Sequence, residues 1–192
     1  MITSTDNSRI KEARKLQRRR HRYKTGACFL EGVRLVGDAL QSKAHFREVY
    51  FAPELVENQP AAQLLLTQLA ATGVDCYACS VAVFAALAET VTPQGIAAVT
   101  ALPQLLLPEM ITLVRLLDQV RDPGNAGTLL RAAAAAGVDL VVFGPETVDP
   151  FNDKVMRAGM GAHFRLPLRI CSTWPEMTAL LPPEFPLYVA QA

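Results

Sequence analysis

Leu117-Asp118-Gln119-Val120-Arg121-Asp122-Pro123-Gly124-Asn125-Ala126-Gly127-Thr128-Leu129-Leu130-Arg131, continued by Ala132 to Ala136 and Gly137, is the stretch on which the fold turns. The apolar run Ile111 to Leu117 has the length and composition of a strand, and Asp-Pro-Gly-Asn is turn chemistry. Asn125 then reads as the N-cap of an alanine-rich helix over 126–136 that Gly137 can end. A helix N-terminus thereby falls at the end of a strand, where ligands of open α/β sheets collect against free backbone N–H groups. Arg131 follows Gly127 by one turn on the same face, and helical side chains lean toward the N-terminus. Gly127, lacking a side chain, is expected to leave that face open to a bulky ligand. On spacing alone the same residues fit equally well a simple cap, a packing glycine and a solvated arginine. Neither G-x-G-x-x-G after this strand nor G-K-[ST] anywhere supports a dinucleotide or P-loop site.

Outward from this stretch, strand and helix alternate. Strand 111–117, helix 126–136, strand 139–143, helix 152–161, strand 164–168, helix 173–181 and strand 186–190 predict a parallel sheet. Upstream, Phe29 to Gly32 leads into helix Val33 to Gln41. There follow strand His45 to Phe51, helix Pro60 to Ala71, strand Val74 to Ser80, helix Val81 to Glu89 and strand Gln94 to Ala101. This is a small α/β unit. The proline-bracketed run Pro103 to Pro108 reads as its linker to the second unit, so the domains are taken as 1–104 and 109–192.

The charge is uneven. Residues 1–24 hold nine Lys/Arg against Asp6 and Glu12, a balance of +7, while the remainder holds ten against sixteen, a balance of −6. The head shows a basic helical pattern through Ile10, Ala13 and Leu16 without a broad apolar face, and Arg18-Arg19-Arg20-His21-Arg22 would repel itself unless solvated or neutralised. Phosphate contact answers that better than core packing, which makes Arg9, Lys11, Arg18, Arg19, Arg20 and Arg22 candidate RNA contacts. A frayed solvated head or an organellar transit peptide is the bland alternative.

Of 192 residues, 51% are hydrophobic and 19% charged, an ordinary globular composition, and no apolar run reaches membrane-spanning length. Cys28, Cys76, Cys79 and Cys171, with no secretory signal, point to free thiols in a reducing, cytoplasmic compartment. Cys76-x-x-Cys79 has redox or half-zinc spacing, but without a second pair it reads as core, and no metal site is expected. His21, His45 and His163 show no ligand spacing.

Asn125-x-Gly127-x-x-x-Arg131, following Leu117-Asp118-x-Val120-x-Asp122-Pro123-Gly124, resembles the first signature motif of the SpoU-type (TrmH-like) RNA 2′-O-ribose methyltransferases of the SPOUT superfamily. Pro150-Phe151-Asn152-Asp153-Lys154-Val155-Met156-Arg157-Ala158-Gly159-Met160-Gly161-Ala162-His163-Phe164-Arg165-Leu166-Pro167 resembles the segment that follows it. Ile10-Lys11, Glu31-Gly32-x-Arg34 and Thr92-Pro93-Gln94-Gly95-Ile96 resemble the family's N-terminal substrate-binding domain. The resemblance implies an α/β RNA-binding domain joined to a parallel-sheet SPOUT (α/β knot) domain. It implies S-adenosylmethionine as methyl donor, an RNA substrate, ribosomal in the first instance and tRNA as the alternative, and a homodimer with no membrane partner. Arg131 and Asn125 would be the catalytic pair, with Arg34 added to the RNA contacts; Arg157 and Arg165 are further candidates for RNA phosphates, for which surface salt bridging is an equal alternative. A Gly-Asn-Glu-Gly type loop and a Leu-Asn-Val-Ala type helix start, which the family uses for its knot and cofactor site, do not occur here. The resemblance therefore implies a domain cut short before the knot, with most cofactor contacts beyond Ala192, and little activity from these residues alone. A non-catalytic RNA-binding module is the competing reading.

Overall fold

The computed structural model describes residues 1–190. In chain order the elements are α1 (Ser8–Lys15), α2 (Arg19–Thr25), β1 (Ala27–Glu31), α3 (Val33–Gln41), β2 (Phe46–Phe51), α4 (Pro53–Val56), α5 (Pro60–Ala71), β3 (Asp75–Ala78), α6 (Val81–Leu87) and β4 (Ile96–Ala101). After residues 102–113, which carry no helix or strand, come β5 (Val114–Leu117), α7 (Pro123–Ala135), β6 (Leu140–Phe143), α8 (Asp153–Gly159), β7 (Leu168–Ile170) and α9 (Trp174–Thr178).

The first sheet has the order β1-β4-β2-β3, with β4 antiparallel to both neighbours and β2 parallel to β3. Successive side chains of a strand face opposite ways. Accordingly Ile96 and Ala98 of β4 join Leu35, Val36, Ala39, Leu65 and Leu69 from α3 and α5, whereas Ala97 and Val99 join Ile10, Ala13, Leu16, Val83 and Phe84 from α1 and α6. Cys76 packs with the first group and Cys79 with the second, so the pair is split across the sheet.

The basic head is therefore folded into the domain. Asn7 caps α1 by accepting from the Arg9 N–H at 3.0 Å, and a narrow stripe, Ile10, Ala13 and Leu16, is buried against α6. A stripe at three-residue spacing suffices, because the charged residues keep the other faces of the helix in water.

The second sheet, β5-β6-β7, is wholly parallel. Val141 and Phe143 of β6 pack with Leu117, Ala126, Leu130 and Val155, while Leu140 and Val142 pack with Met177 of α9. Phe151, Met156 and Phe164 cross to the core of the first unit, so the two halves meet through apolar packing.

Several expected elements are corrected. The N-cap of α7 is Asp122, whose Oδ1 accepts from the Asn125 N–H at 2.7 Å; Pro123 at the first helical position moves the start forward and places Asn125 inside the first turn. Strand 164–168 is replaced by a 3₁₀ turn, Ala162–Phe164, with the strand at Leu168–Ile170, since Gly161 (φ 75°) and the turn use up the chain before it can extend. Residues 186–190 form no strand; Leu187, Tyr188 and Val189 are 57%, 93% and 82% exposed, and no sheet edge among the described residues pairs with them.

Candidate functional site

Two glycines set the geometry around α7. A Cβ on Gly127 would lie 2.4 Å from the Ala158 Cβ and 2.8 Å from the Val155 carbonyl, so this face of α7 is filled by α8 rather than left open to a ligand. Gly159, on the other side of the same crossing, leaves room for the His163 ring, which a Cβ would meet at 2.6 Å. Close backbone approach, and not ligand access, is what these positions demand.

Arg131 lies one turn beyond Gly127, and its guanidinium reaches the end of α8, where Nη1 donates to the Met160 Sδ at 2.7 Å. Met160 is the left-handed C-cap of α8 (φ 46°, ψ 56°), and its carbonyl accepts from the Arg165 Nη2 at 3.1 Å. A thioether sulfur and a carbonyl are weak or neutral acceptors. Neither arginine has a carboxylate partner among the described residues, so two cations converge on one residue with their charge unanswered. Asn125 is exposed on the first turn of the helix. It lies six residues before Arg131, about 120° away around the helix, and so does not sit under the guanidinium.

On the far side of Met160 lies a half-open cavity of about 290 Å³ between the two units, walled by Glu31, Arg34, Leu35, Thr90 and Thr92 from the first and by Arg157 and Met160 from the second. Glu31 is buried. Its carboxylate accepts from the Glu89 N–H at 2.8 Å and from the Thr90 hydroxyl, pinning the loop that carries Thr92 and Gln94. The Gln94 Oε1 in turn caps α3 by accepting from the Val33 N–H at 2.9 Å. Arg34 is exposed and without an ion-pair partner among the described residues, whereas Arg157 is paired with Asp153 at 2.9 Å.

The head residues divide. Arg9 pairs with Glu48 at 2.8 Å and lies 4.4 Å over the Tyr77 ring; Lys11 pairs with Asp6 at 2.8 Å. Arg18 and Arg20 carry no ion pair among the described residues, and Arg19 stands 5.5 Å over Tyr23. A shallow groove of about 370 Å³ runs past Lys11, Arg14, Lys15 and Arg18, open enough for a phosphate backbone. Arg22 is the correction. It is 3% exposed, donates to the Leu16 and Gln17 carbonyls at 2.9 and 2.8 Å, and forms an ion pair with Asp149 of the second unit, so no phosphate can reach it.

His163 is wholly buried, with Nε2 and the Pro150 carbonyl 2.8 Å apart, the tautomer in which that nitrogen donates. Burial takes its imidazole from the ordinary 6.5 down to about 4, only partly opposed by the Pro150 carbonyl and the Asp149 charge. The folded pKa is thus depressed below the unfolded one: the neutral ring stabilises fully above pH 6.5, and that stability is lost as pH falls from 6.5 to about 4. The shift amounts to about 3 kcal/mol. His163→Gln, which keeps a donor and does not titrate, is expected to flatten the urea-midpoint profile over this window. A variant profile parallel to wild type would refute the assignment.

At the C-terminal edge of the second sheet, the Asp118 Oδ1 is buried without a hydrogen-bond partner among the described residues. It is one acceptor for a ligand there, and neither of the two cavities described above lies at that edge. No group of three metal-ligating side chains comes together among the described residues.

Residues 7–98 match the MRM3-like substrate binding domain, and residues 112–192 match the SpoU rRNA Methylase family. The 23S rRNA (guanosine(2553)-2′-O)-methyltransferase RlmP of Bacillus subtilis is 40% identical over 87% of this chain, which covers 63% of that relative. The mitochondrial rRNA methyltransferase 3 of Homo sapiens is 36% identical over 88% of the chain, which covers 41% of it. The chain thus spans less than two thirds of either relative. Among solved structures, the AdoMet-bound rRNA methyltransferase from Sinorhizobium meliloti superposes with a TM-score of 0.75 at 28% identity, over 92% of this chain and 66% of that one.

Proposed function

Residues 112–192 belong to the SpoU rRNA methylase family and residues 7–98 to the MRM3-like substrate-binding domains, and from that premise we propose that this chain serves S-adenosylmethionine-dependent 2′-O-methylation of ribose in ribosomal RNA. The observation that carries the reading is the pair of guanidinium groups, Arg131 and Arg165, held at Met160 by a sulfur and a carbonyl instead of by carboxylates. An arginine so held is available to an incoming anion.

A ribose 2′-hydroxyl is a poor nucleophile until its proton leaves or its developing charge is stabilised. Arg131 stays protonated, so its part is to grip the adjacent phosphate and stabilise the developing alkoxide through its forked donors. Asn125, exposed on the first turn, faces the substrate from the strand end. Arg18, Arg19 and Arg20 hold the RNA backbone farther out, with Arg9 and Lys11 joining them on exchanging Glu48 and Asp6 for phosphate, and these contacts fix position without reading sequence. S-adenosylmethionine supplies the methyl group, and the buried, unpartnered Asp118 Oδ1 at the strand end is an acceptor these residues would offer it. The same reading carries a cytoplasmic homodimer: the four free thiols suit a reducing compartment, and the dimer rests on the family resemblance.

The test is transfer of labelled methyl from S-adenosylmethionine to ribosomal RNA by the protein expressed from its complete open reading frame. Alkali-resistant dinucleotides are the expected product, because a methylated 2′-oxygen cannot attack its phosphate. RNA binding with no such product would favour the non-catalytic module.

A further inference from the structure

Met160 is the residue on which the two site arginines converge, and its sulfur is the only methionine sulfur that accepts a hydrogen bond among the described residues. Its backbone is pinned from both sides: the N–H donates to the Arg157 carbonyl at 3.3 Å, and the carbonyl accepts from the Arg165 Nη2 at 3.1 Å. The tip of the side chain is reachable, since Met160 is half-buried and lines the half-open cavity between the units. A change confined to the sulfur would leave that backbone in place and alter what Arg131 is bound to.

Such a change has an ordinary chemical route. A thioether is a weak acceptor, but peroxides oxidise it to the sulfoxide, which is polar and chiral. A sulfur lone pair attacks one peroxide oxygen, and an S–O bond forms as the O–O bond breaks. The departing hydroxide takes the proton of the transferred oxygen and leaves as water; sulfur loses two electrons and the peroxide gains them. The new oxygen is the negative end of a strongly polarised bond. A guanidinium that met a weak acceptor then meets a strong one, in a charge-assisted hydrogen bond. The other methionines lack this arrangement. Met156 and Met177 are fully buried, whereas Met1 and Met110, 79% and 74% exposed, have no arginine on their sulfur.

We propose that Met160 is a reversible oxidation site through which hydrogen peroxide lowers activity at Arg131: the thioether releases the guanidinium to an RNA anion, and the sulfoxide retains it. The proposal rests on the methyltransferase reading for its effect on turnover, and on the contact between Arg131 and Met160 alone for the fastening. Arg131 occupies one sulfur lone pair and leaves a second for the oxidant. Its donor draws density from the sulfur, so Met160 should oxidise after the exposed Met1 and Met110 and before the buried Met156 and Met177.

The experiment treats the protein from its complete open reading frame with hydrogen peroxide and locates the added oxygen by peptide mass. Single-turnover methyl transfer at saturating RNA is followed beside proton exchange of the Arg131 guanidinium, whose signals are assigned by their loss in Arg131→Lys. Transfer is expected to fall about tenfold in step with oxygen at Met160, and guanidinium exchange to slow. Methionine sulfoxide reductases, one for each epimer, should reverse both; dithiothreitol, which reverses cysteine disulfides, should not. Met160→Leu removes the sulfur and should lose no rate to peroxide, whatever rate it starts from. Met160→Gln places an amide oxygen there and should transfer slowly before any peroxide is added. Both replacements are unbranched at Cβ, as Met is, so the left-handed backbone (φ 46°) is no harder for them to adopt. Met110→Leu should respond as wild type does. Equal inhibition of wild type and Met160→Leu, or unchanged transfer and exchange with Met160 fully oxidised, would overturn the proposal. An unoxidised protein that transfers no methyl group would fault the enzyme reading instead, and the exchange measurement would still decide whether the sulfoxide fastens Arg131.

Discussion

Arg131→Ala is expected to lower single-turnover methyl transfer about a hundredfold to a thousandfold at saturating RNA, with a much smaller change in RNA affinity. Removing one donor aimed at charge that develops only in the transition state typically costs about 2.7–4 kcal/mol, and stabilisation absent from the ground state appears in turnover and not in binding. The geometry favours this outcome over a structural one. Arg131 is exposed and its one hydrogen-bond partner among the described residues is a methionine sulfur, so truncation unfastens nothing buried. Arg131→Lys should recover little, because a point ammonium cannot reproduce the guanidinium fork. The measurement belongs in the complete open reading frame with S-adenosylmethionine in excess. Wild-type transfer at saturation, with only a raised RNA dissociation constant, would reduce Arg131 to a phosphate contact and remove the chemical argument.

What the sequence could and could not disclose follows from the range of each interaction. The strand-turn-helix unit around Asp122-Pro123-Gly124 was legible because its signals are local, although the proline moved the cap from Asn125 to Asp122. Gly127 was misread because its meaning lies in Val155, Ala158 and Gly159, about thirty residues on, which only the packed helices bring to it. The parallel sheet was readable from alternation; β7 slipped because Gly161 and the 3₁₀ turn after it show no strong periodic signature. The Met160 junction left no trace at all. A left-handed methionine between two glycines, touched by arginines from two elements, has no spacing rule that would flag it. The cavity likewise depends on how the units meet, and Glu31 looked like part of a motif without a visible task.

The largest effect on stability is expected at Arg22, the head arginine least suited to RNA. Its side chain and that of Asp149 are 4% and 8% exposed, and the pair joins residues 127 apart in sequence. Burying two charges yields little net stability, but removing one partner strands the other, at about 3–5 kcal/mol. Arg22→Ala also deprives the Leu16 and Gln17 carbonyls of their donor, leaving Asp149 with the Tyr23 hydroxyl at 2.5 Å. Against a total stability of about 5–15 kcal/mol, a fall in melting temperature on the order of 10 °C follows. Arg20→Ala, on the same helix but in solvent, should change the urea midpoint hardly at all and weaken RNA binding instead. Because Phe151, Met156 and Phe164 already bind the two units through apolar contact, the transition should stay single and move as a whole. Arg22→Met with Asp149→Leu should recover much of the loss, since an apolar pair of similar volume incurs no desolvation. An Arg22→Ala midpoint shifted by less than about 1 kcal/mol, the scale of an exposed ion pair, would mean that the pair is hydrated and that the head is held to the second unit by its hydrophobic stripe alone.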